Sequence, residues 1–456
     1  MAACRPCSQP NLCLPTHYLE EGSVIRCMGQ EEEVDLAVWW QQFNDPLLSQ
    51  LIERALSCNY DLRLAREKIC EARAVRGIVF SDLLPHIDAF TVFQRVRNSE
   101  TLVDSPFLGG TFFNFYSAGF DSIWEIDLFG KHIDRTLAAS FEIAAAQSNV
   151  RDVHVTVAAE VAVNFFVIRT LQERIKIAKN HINTETQILE LVEDRFQAGL
   201  ISGLDVSLAK ALLQERLSEL PTLEIRLYQT IFSLAVLLGE IPEALVSSFC
   251  EEKSLPCSEG KIPLGLPSDL LCRRGDVRAA EFAMLASGAR VLAAKKELFP
   301  TLSLSGIFSY ATGFFTKWAN AASQSWLISP LLTLPIFHGG EILSNIQAAT
   351  SVQRQAVLDY EKSVVKALEE VEGALVGYFR EGGRIKSLKE EVSAYREARE
   401  LSNTLYIAGV VDFLYLLDSE RDLFFTEILL AESKERLMTY LVAVYKSLGG
   451  GWECFD

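Results

Sequence analysis

The sequence predicts a mainly α-helical chain with a small β part, built as two structural repeats that carry long coiled-coil helices and too few strands for a closed sheet. Three observations lead there. Landmarks recur at fixed offsets along the 456 residues: Asn59-Tyr60-Asp61-Leu62-Arg63-Leu64-Ala65 reads like Arg274-Gly275-Asp276-Val277-Arg278-Ala279-Ala280, and Leu84-Pro85 like Phe299-Pro300, both 215 residues on. Ala198-Gly199-Leu200 meets Ala408-Gly409-Val410, and Leu238-Gly239 meets Leu448-Gly449, both 210 residues on. Four matches in one order mark a duplicated unit. Each half also holds a very long helical stretch and a pair of segments with two-residue alternation.

In the first half a helix is expected from about Asp45 to Asp82, ended by Pro85, because the residue before a proline is pushed out of the α region. Two β-like segments fill 85–129. In the second, Tyr116, Ala118, Phe120, Trp124, Ile126 and Leu128 fall on one face, and Ser117, Gly119, Asp121, Glu125 and Asp127 on the other. From Lys131 to Gly199 there is no proline, and no glycine before Gly199; at 1.5 Å per residue these roughly 69 residues would span about 100 Å. Ile175, Ala178, Ile182, Leu189, Val192 and Phe196 follow a three-four spacing, with Glu185 as the one polar member, which is a coiled-coil seam. A turn at Gly199–Leu204 leads to a returning helix, Asp205–Leu238, which Pro221 should kink or break.

The second half repeats this order. A helix over 268–297 precedes strands in 300–337, where Leu302, Leu304, Phe308 and Tyr310 alternate with Thr301, Ser303, Ser305 and Ser309. The partner segment carries Trp326, Ile328, Leu332 and Leu334 on one face. A long helix from Glu341 to Ala408 is expected to be interrupted at Gly373, Gly377 and Gly382-Gly383. The closing helix, 412–448, repeats Leu416, Leu423, Leu430, Leu437 and Val444 every seven residues. Pro242, Pro256, Pro263 and Pro267 mark 241–267 as an irregular linker. The expected organisation is therefore an N-terminal segment 1–38, a first repeat 39–240, the linker, a second repeat 268–449 and a tail 450–456.

Composition narrows the function. Hydrophobic residues make up 49% and charged residues 23%, the balance of a folded chain. A net charge of −17 speaks against a nucleic-acid partner, which calls for basic surface. There is no run of 18 apolar residues; the most apolar stretch, Val153–Ile168, is broken by His154, Glu160 and Asn164. That leaves a transmembrane β-barrel open, because its alternating strands give little hydropathy signal. Cys4-Arg5-Pro6-Cys7 has metal or redox spacing without a second pair or a histidine cluster. Met1-Ala2-Ala3-Cys4 has the small residues that precede an acylated cysteine, without the apolar stretch before them. Cys4 is thus either a lipidation site behind an upstream start or unmodified. No catalytic triad, phosphate loop, dinucleotide fingerprint or complete metal-ligand set is present, so neither an enzyme nor a cofactor is expected.

Four strands cannot close a membrane barrel, and lipid tolerates no open edge. Two chains would give eight strands and three would give twelve. The helical seams raise the same demand, and the physical outcome is an oligomeric tube. At this point particular residues resemble a known family. Trp39-Trp40-Gln41-Gln42-Phe43-Asn44-Asp45-Pro46, with Asn59-Tyr60-Asp61-Leu62, resembles the opening of the TolC-like outer-membrane factors, in the branch of NodT-like efflux lipoproteins. Trp124-Glu125-Ile126-Asp127-Leu128-Phe129-Gly130 resembles that branch's strand-to-helix signature. Arg195-Phe196-Gln197-Ala198-Gly199-Leu200 with Leu204-Asp205-Val206 resembles its helix-to-helix turn, and Leu334-Pro335-Ile336-Phe337 and Tyr406-Ile407-Ala408-Gly409 are the second-half counterparts.

The resemblance implies a homotrimer with a 12-stranded barrel in the bacterial outer membrane and a 12-helix periplasmic tunnel. It would be the outer-membrane channel of a tripartite efflux system, taking exported small molecules from a periplasmic adaptor and an inner-membrane pump. A type I secretion or heavy-metal export duct of the same fold stands as an alternative, as does, in a different class, a coiled-coil structural scaffold. In the family, carboxylates after the second turn line a periplasmic constriction. Asp418 matches one such position, Tyr415 stands at the other, and Asp205 and Arg195 are further gate candidates. Gly199, Leu200, Gly409 and Val410 would form the tip that meets the adaptor. Asp121, Glu125 and Asp127 are expected in the barrel lumen, and Phe120 and Trp124 toward lipid. Plainer readings stand beside these: a solvated early-helix acid for Asp418, ordinary helix caps for the two glycines, rim charges for the acids, and packing between protomers for the aromatics.

Overall fold

The computed structural model describes Tyr18 and residues 36–99, 111–250 and 273–452. Cys4, and with it the lipid-anchor expectation, lies outside the described residues, as does most of the expected linker. Contacts divide the described chain into two units. One gathers Lys68–Gln147 and Ala279–Glu361; the other is built from the stretch ending at Glu67, Ser148–Arg278 and the chain from Lys362 onward. Eleven longer elements follow in order: α1 (Pro46–Cys58), α2 (Tyr60–Ser81), β1 (His86–Arg97), β2 (Phe112–Ile126), α3 (Lys131–Gln197), α4 (Gly203–Leu237), α5 (Gly275–Lys296), β3 (Thr301–Thr312), β4 (Gln324–Thr333), α6 (Glu341–Ile407) and α7 (Phe413–Ser447). The duplication is visible in the lengths. The helices α2 and α5 both have 22 residues, α3 and α6 both 67, and α4 and α7 both 35.

The first unit holds a four-stranded antiparallel sheet in the order β1-β2-β3-β4, with β1 and β4 as its edges, together with the adjoining ends of α2, α3, α5 and α6. The register lines up Ala89, Phe120, Phe308 and Trp326 in one row, and Asp88 directly opposite Asp121 in another. One face therefore carries Ile87, Phe93, Tyr116, Phe120, Trp124, Leu304, Phe308, Tyr310, Trp326 and Ile328 and no acid. The other holds every acid of the strands (Asp88, Asp121 and Glu125) among serines, Gly119 and ten apolar residues, Phe115, Ile123, Ile307 and Leu331 among them. Gly119 is required at its place: a Cβ there would lie 2.1 Å from the Phe308 carbonyl oxygen of the neighbouring strand.

The second unit buries its largest core around the N-terminal 3-10 turn Leu36–Phe43 and the apolar stretch of α3. The Trp39 ring stacks on Tyr445 at 5.3 Å and Phe43 meets Phe166 edge-on at 4.9 Å. Val155, Val157, Ala158, Val161, Ala162, Phe165, Phe166 and Ile168 are all buried. By composition this part of α3 could cross a bilayer, but its apolar surface is taken up by protein.

Three helix expectations are corrected. The helix expected over 45–82 is two helices, because Asn59 leaves the α region (φ −56°, ψ 135°) and its buried side chain caps the second. Its Oδ1 accepts from the Asp61 and Leu62 amides at 2.7 and 3.1 Å, and its Nδ2 donates to the Leu237 carbonyl at 2.8 Å. The helix α4 runs through Pro221 without a break; Pro221 and Leu217, four residues before it, lie on an exposed face where water can satisfy the freed carbonyl. The helix α6 is continuous through its glycines. Gly377 is a packing notch: a Cβ there would sit 2.5 Å from the Tyr440 ring. The second-half counterpart of α2 begins at Gly275, with 251–272 outside the described residues.

Candidate functional site at the helical turns

The two turns are built alike. The helix α3 ends at Gly199 (φ +74°), where the Gly199 amide donates to Phe196 O at 2.9 Å and the Leu200 amide to Arg195 O at 3.0 Å. The helix α6 ends at Gly409 (φ +75°), with Gly409 N to Tyr406 O at 3.0 Å and Val410 N to Leu405 O at 2.9 Å. This double closure needs a left-handed residue, which glycine supplies without a Cβ penalty. It pushes Leu200 (73% exposed) and Val410 (69%) outward, so each turn ends in an uncovered aliphatic side chain. Beneath them Val192, Ala209, Leu212, Tyr406, Phe413, Leu416 and Leu417 form a small core of their own.

Arg195 joins the turns. It donates from Nη1 to the Tyr406 carbonyl at 2.8 Å and from Nη2 to the Ile407 carbonyl at 2.5 Å, and its guanidinium lies 4.6 Å from the Tyr406 ring centre. The last carbonyls of α6 have no partner further along the helix, so a cation at this end satisfies both their lone pairs and the helix dipole. Burial raises the Tyr406 phenol pKa above its ordinary value, against the lowering effect of Arg195. Asp205 accepts from the Ser202 amide at 3.3 Å while Ser202 Oγ accepts from the Leu204 amide at 3.2 Å, a reciprocal cap on α4. Asp418 and Tyr415 lie on the exposed face of α7. Among the described residues Asp418 has no ion-pair or hydrogen-bond partner.

Further along the same helices lies a layer of charge with buried carboxylates at its centre and Arg396 at its exposed edge, of which the sequence revealed only Glu185 as an odd seam member. His181 and Glu185 on α3, Arg216 on α4, Arg396 and Arg399 on α6, and Glu420 and Glu427 on α7 meet there. His181 lies 3.0 Å from Glu427 Oε2 through Nε2 and 3.6 Å from Glu420 Oε2 through Nδ1. Arg216 Nε is 3.4 Å from Glu185, and its guanidinium lies 3.9 Å from the Phe424 ring centre. Arg399 is 3.5 Å from Glu420, and Arg396 is 2.6 Å from Glu427. Glu185 is 2% exposed and Glu420 1%. Burial alone would lower the His181 pKa, but hydrogen bonds and charge from Glu420 and Glu427 outweigh it and raise it to about 9. Burial pushes the Glu185 carboxyl up to about 7 despite Arg216 and His181.

In the sheet unit, Phe120 is exposed on the acid-free face. Trp124 lies partly buried on that face, its indole donating to the Leu83 carbonyl at 3.0 Å. Of the three acids expected to share a lumen, two are engaged at the strand-to-helix junction. Glu125 lies 2.6 Å from Lys131 Nζ and 3.4 Å from His132 Nε2, and Asp127 accepts from the Ile133 amide at 2.9 Å. Asp121 instead faces Asp88 across β1 and β2, a partner that the weak alternation of β1 hid. Among the described residues no group of three or more His, Cys, Asp or Glu side chains is placed to hold a metal ion.

A family model described as outer membrane efflux protein matches residues 51–240 and 266–450. The solvent efflux pump outer membrane protein SrpC of Pseudomonas putida is 30% identical over 414 residues, 90% of this chain and 86% of that protein. Nodulation protein T of Rhizobium leguminosarum bv. trifolii is 28% identical over 444 residues, 97% of this chain and 93% of that protein. Among solved structures, the outer-membrane channel OprN superposes with a TM-score of 0.88 at 31% identity, covering 98% of this chain and 99% of that one.

Proposed function

The chain belongs to the outer membrane efflux protein family, and from that premise we propose that it works as a homotrimeric duct carrying small molecules out through the bacterial outer membrane. The observation that supports this most directly is the sheet. It has two open edges, an acid-free aromatic face, and an opposite face that gathers Asp88, Asp121 and Glu125. Open edges in lipid are satisfied when β1 of one copy pairs with β4 of the next, which for three copies closes twelve strands. Phe120 and Trp124 then lie toward lipid, and Asp121 and Asp88 toward a cation-preferring lumen, with Glu125 and Asp127 at its helical end.

At the turns, threefold symmetry would bring three Asp418 carboxylates together behind three Tyr415 rings. Like charges that close repel unless hydrated or paired, which makes the ring a gate sensitive to cations and to movement. Arg195 would hold the closed arrangement through its bonds to α6, while Asp205 keeps α4 capped. The exposed Leu200 and Val410 beside Gly199 and Gly409 are an apolar tip for a periplasmic adaptor and, through it, an inner-membrane pump. Similar channels are named for different cargoes, so cargo choice would reside in the pump. The test is extraction and assembly. The duct reading expects the chain to fractionate with the outer membrane, to need detergent and to run as a trimer that forms a cation-preferring pore in planar bilayers. A stable water-soluble monomer that forms no pore would overturn it.

A further inference from the structure

The layer of charge separates two apolar clusters. Val192, Leu212 and Leu416 are buried on its tip side and Ala178, Leu223 and Ile428 on the other, one from each of α3, α4 and α7 in both clusters. Along these three helices the small core of the tip therefore meets the longer bundle through ions. The layer also lies directly behind the proposed gate. Glu420, 1% exposed, follows Asp418 by two residues on α7, so the same turn carries one carboxylate inward and the other outward. A movement of α7 that wets the layer shifts the gate with it.

The centre of the layer is short of hydrogen bonds. Among the described residues neither oxygen of the buried Glu185 carboxylate accepts one, and Arg216 Nε stands 3.4 Å away. A buried carboxylate in that state is relieved either by keeping a proton or by meeting water. His181 acts in the same sense. As imidazolium it reaches from α3 to both carboxylates of α7, 3.0 Å from Glu427 and 3.6 Å from Glu420. Without its second proton one ring nitrogen would turn a lone pair toward a carboxylate. The other charges around the two groups are Arg216 with Glu215 and Glu219 at 3.3 and 3.8 Å on α4, and Arg396 and Arg399 on α6. Arg421 of α7 lies 3.4 Å from Glu215.

We propose that this layer is a proton-operated latch for the gate, holding the tip closed while Glu185 and His181 keep their protons and releasing it when they lose them, an assignment of regulation that rests on the duct reading above. Both groups bind protons more tightly in the closed layer than in water. Burial holds Glu185 at about 7 against an ordinary 4.5, and the two glutamates hold His181 at about 9 against 6.5 in spite of its burial. The closed form is thus favoured in acid and loses that advantage as pH rises through 7 and then through 9. Burial would raise Glu427, but hydrogen bonds from His181 and Arg396 keep it below 4.5, so it stays ionised across that range. A wet, open layer returns Glu185 to its ordinary value. Its part in the closed-to-open balance is then about thirtyfold per protomer between pH 5.5 and 8.5.

The experiment is single-channel recording of the full-length chain, extracted in detergent as a trimer and placed in planar bilayers at pH 5.5, 7 and 8.5. The quantity read is the ratio of open to closed dwell times. In the wild type it should rise with pH. Glu185→Gln keeps the shape without the titrating group and should flatten that rise by about thirtyfold per protomer. His181→Gln cannot carry the bridging charge and should already be opened at pH 5.5. A wild-type ratio that is constant or falls with pH overturns the latch. So does an equal rise in Glu185→Gln, which would put the titration elsewhere, the Asp418 ring included. Should His181→Gln fail to assemble, Glu185→Gln decides. A chain that forms no pore overturns the duct and the latch together, whereas a pore whose gating ignores pH overturns the latch alone.

Discussion

Replacing Glu185 by glutamine should make the protein more stable at neutral and alkaline pH and leave it unchanged in acid. The carboxyl is buried with Arg216 Nε 3.4 Å away, and its pKa stands at about 7 against an ordinary 4.5. A raised folded-state pKa means that the folded chain holds the proton more tightly than the unfolded one. The stabilisation is complete below pH 4.5 and is lost as pH rises through 7. The shift corresponds to about 3 kcal/mol per protomer. Spread over an unfolding entropy of roughly 2.1 cal/mol/K per residue, that is a change in Tm of roughly 3 °C. The assay is thermal unfolding of the detergent-solubilised protein at one scan rate from pH 4.5 to 8.5. It would follow the fluorescence of the buried Trp39 and Trp40, which share a unit with Glu185. Subtracting the variant's profile from the wild type's removes the contributions of His181, Glu427 and the other groups common to both. The difference should be near zero at pH 4.5 and should favour the variant by about 3 °C at pH 8. A variant less stable than wild type at pH 8 would refute the reasoning, because the ionised Glu185–Arg216 pair would then outweigh its burial.

Three further outcomes are expected. Asp418→Ala should raise conductance in planar bilayers and weaken cation preference; unchanged conductance and selectivity would remove Asp418 from the gate. Arg195→Ala should give a leakier pore with intact trimers, since it deletes two bonds to the end of α6, and an unaltered closed-state current would show that the contact only caps the helix. Gly377→Ala should cost about 1–3 kcal/mol by driving a methyl group into the Tyr440 ring. Tyr440→Ala in the same chain should recover much of that loss, read as coupling in a double-mutant cycle of unfolding midpoints.

The features that were legible in the sequence are those fixed by local chemistry or by repetition. Gly199 and Gly409 close their helices because no other residue takes that backbone turn as readily, so two Ala-Gly pairs 210 residues apart gave both helix-to-helix turns. The alternation around Phe120 and Trp124 gave the faces of β2 and β3. What escaped depends on contacts between distant segments. Asn59 divides a helix because Leu237, 178 residues away, offers a carbonyl to its side chain. Gly377 looks like a breaker until Tyr440 fills the space above it. The buried charges draw on four helices, and His181, Arg216 and Glu420 each pass for surface residues when only their neighbours in sequence are considered. Asp88 was overlooked because β1 mixes Phe90 and Val92 into the same face.

The matched lengths of the duplicated helices have an evolutionary cost. One extra residue in either 67-residue helix would turn everything after it by about 100° and carry it about 1.5 Å along the axis. Arg195 would then miss the carbonyls it now meets, and the seam beyond would present the wrong side chains. Descendants of this gene are thus free to change letters but hardly free to change spacing, unless both copies gain or lose whole heptads in step.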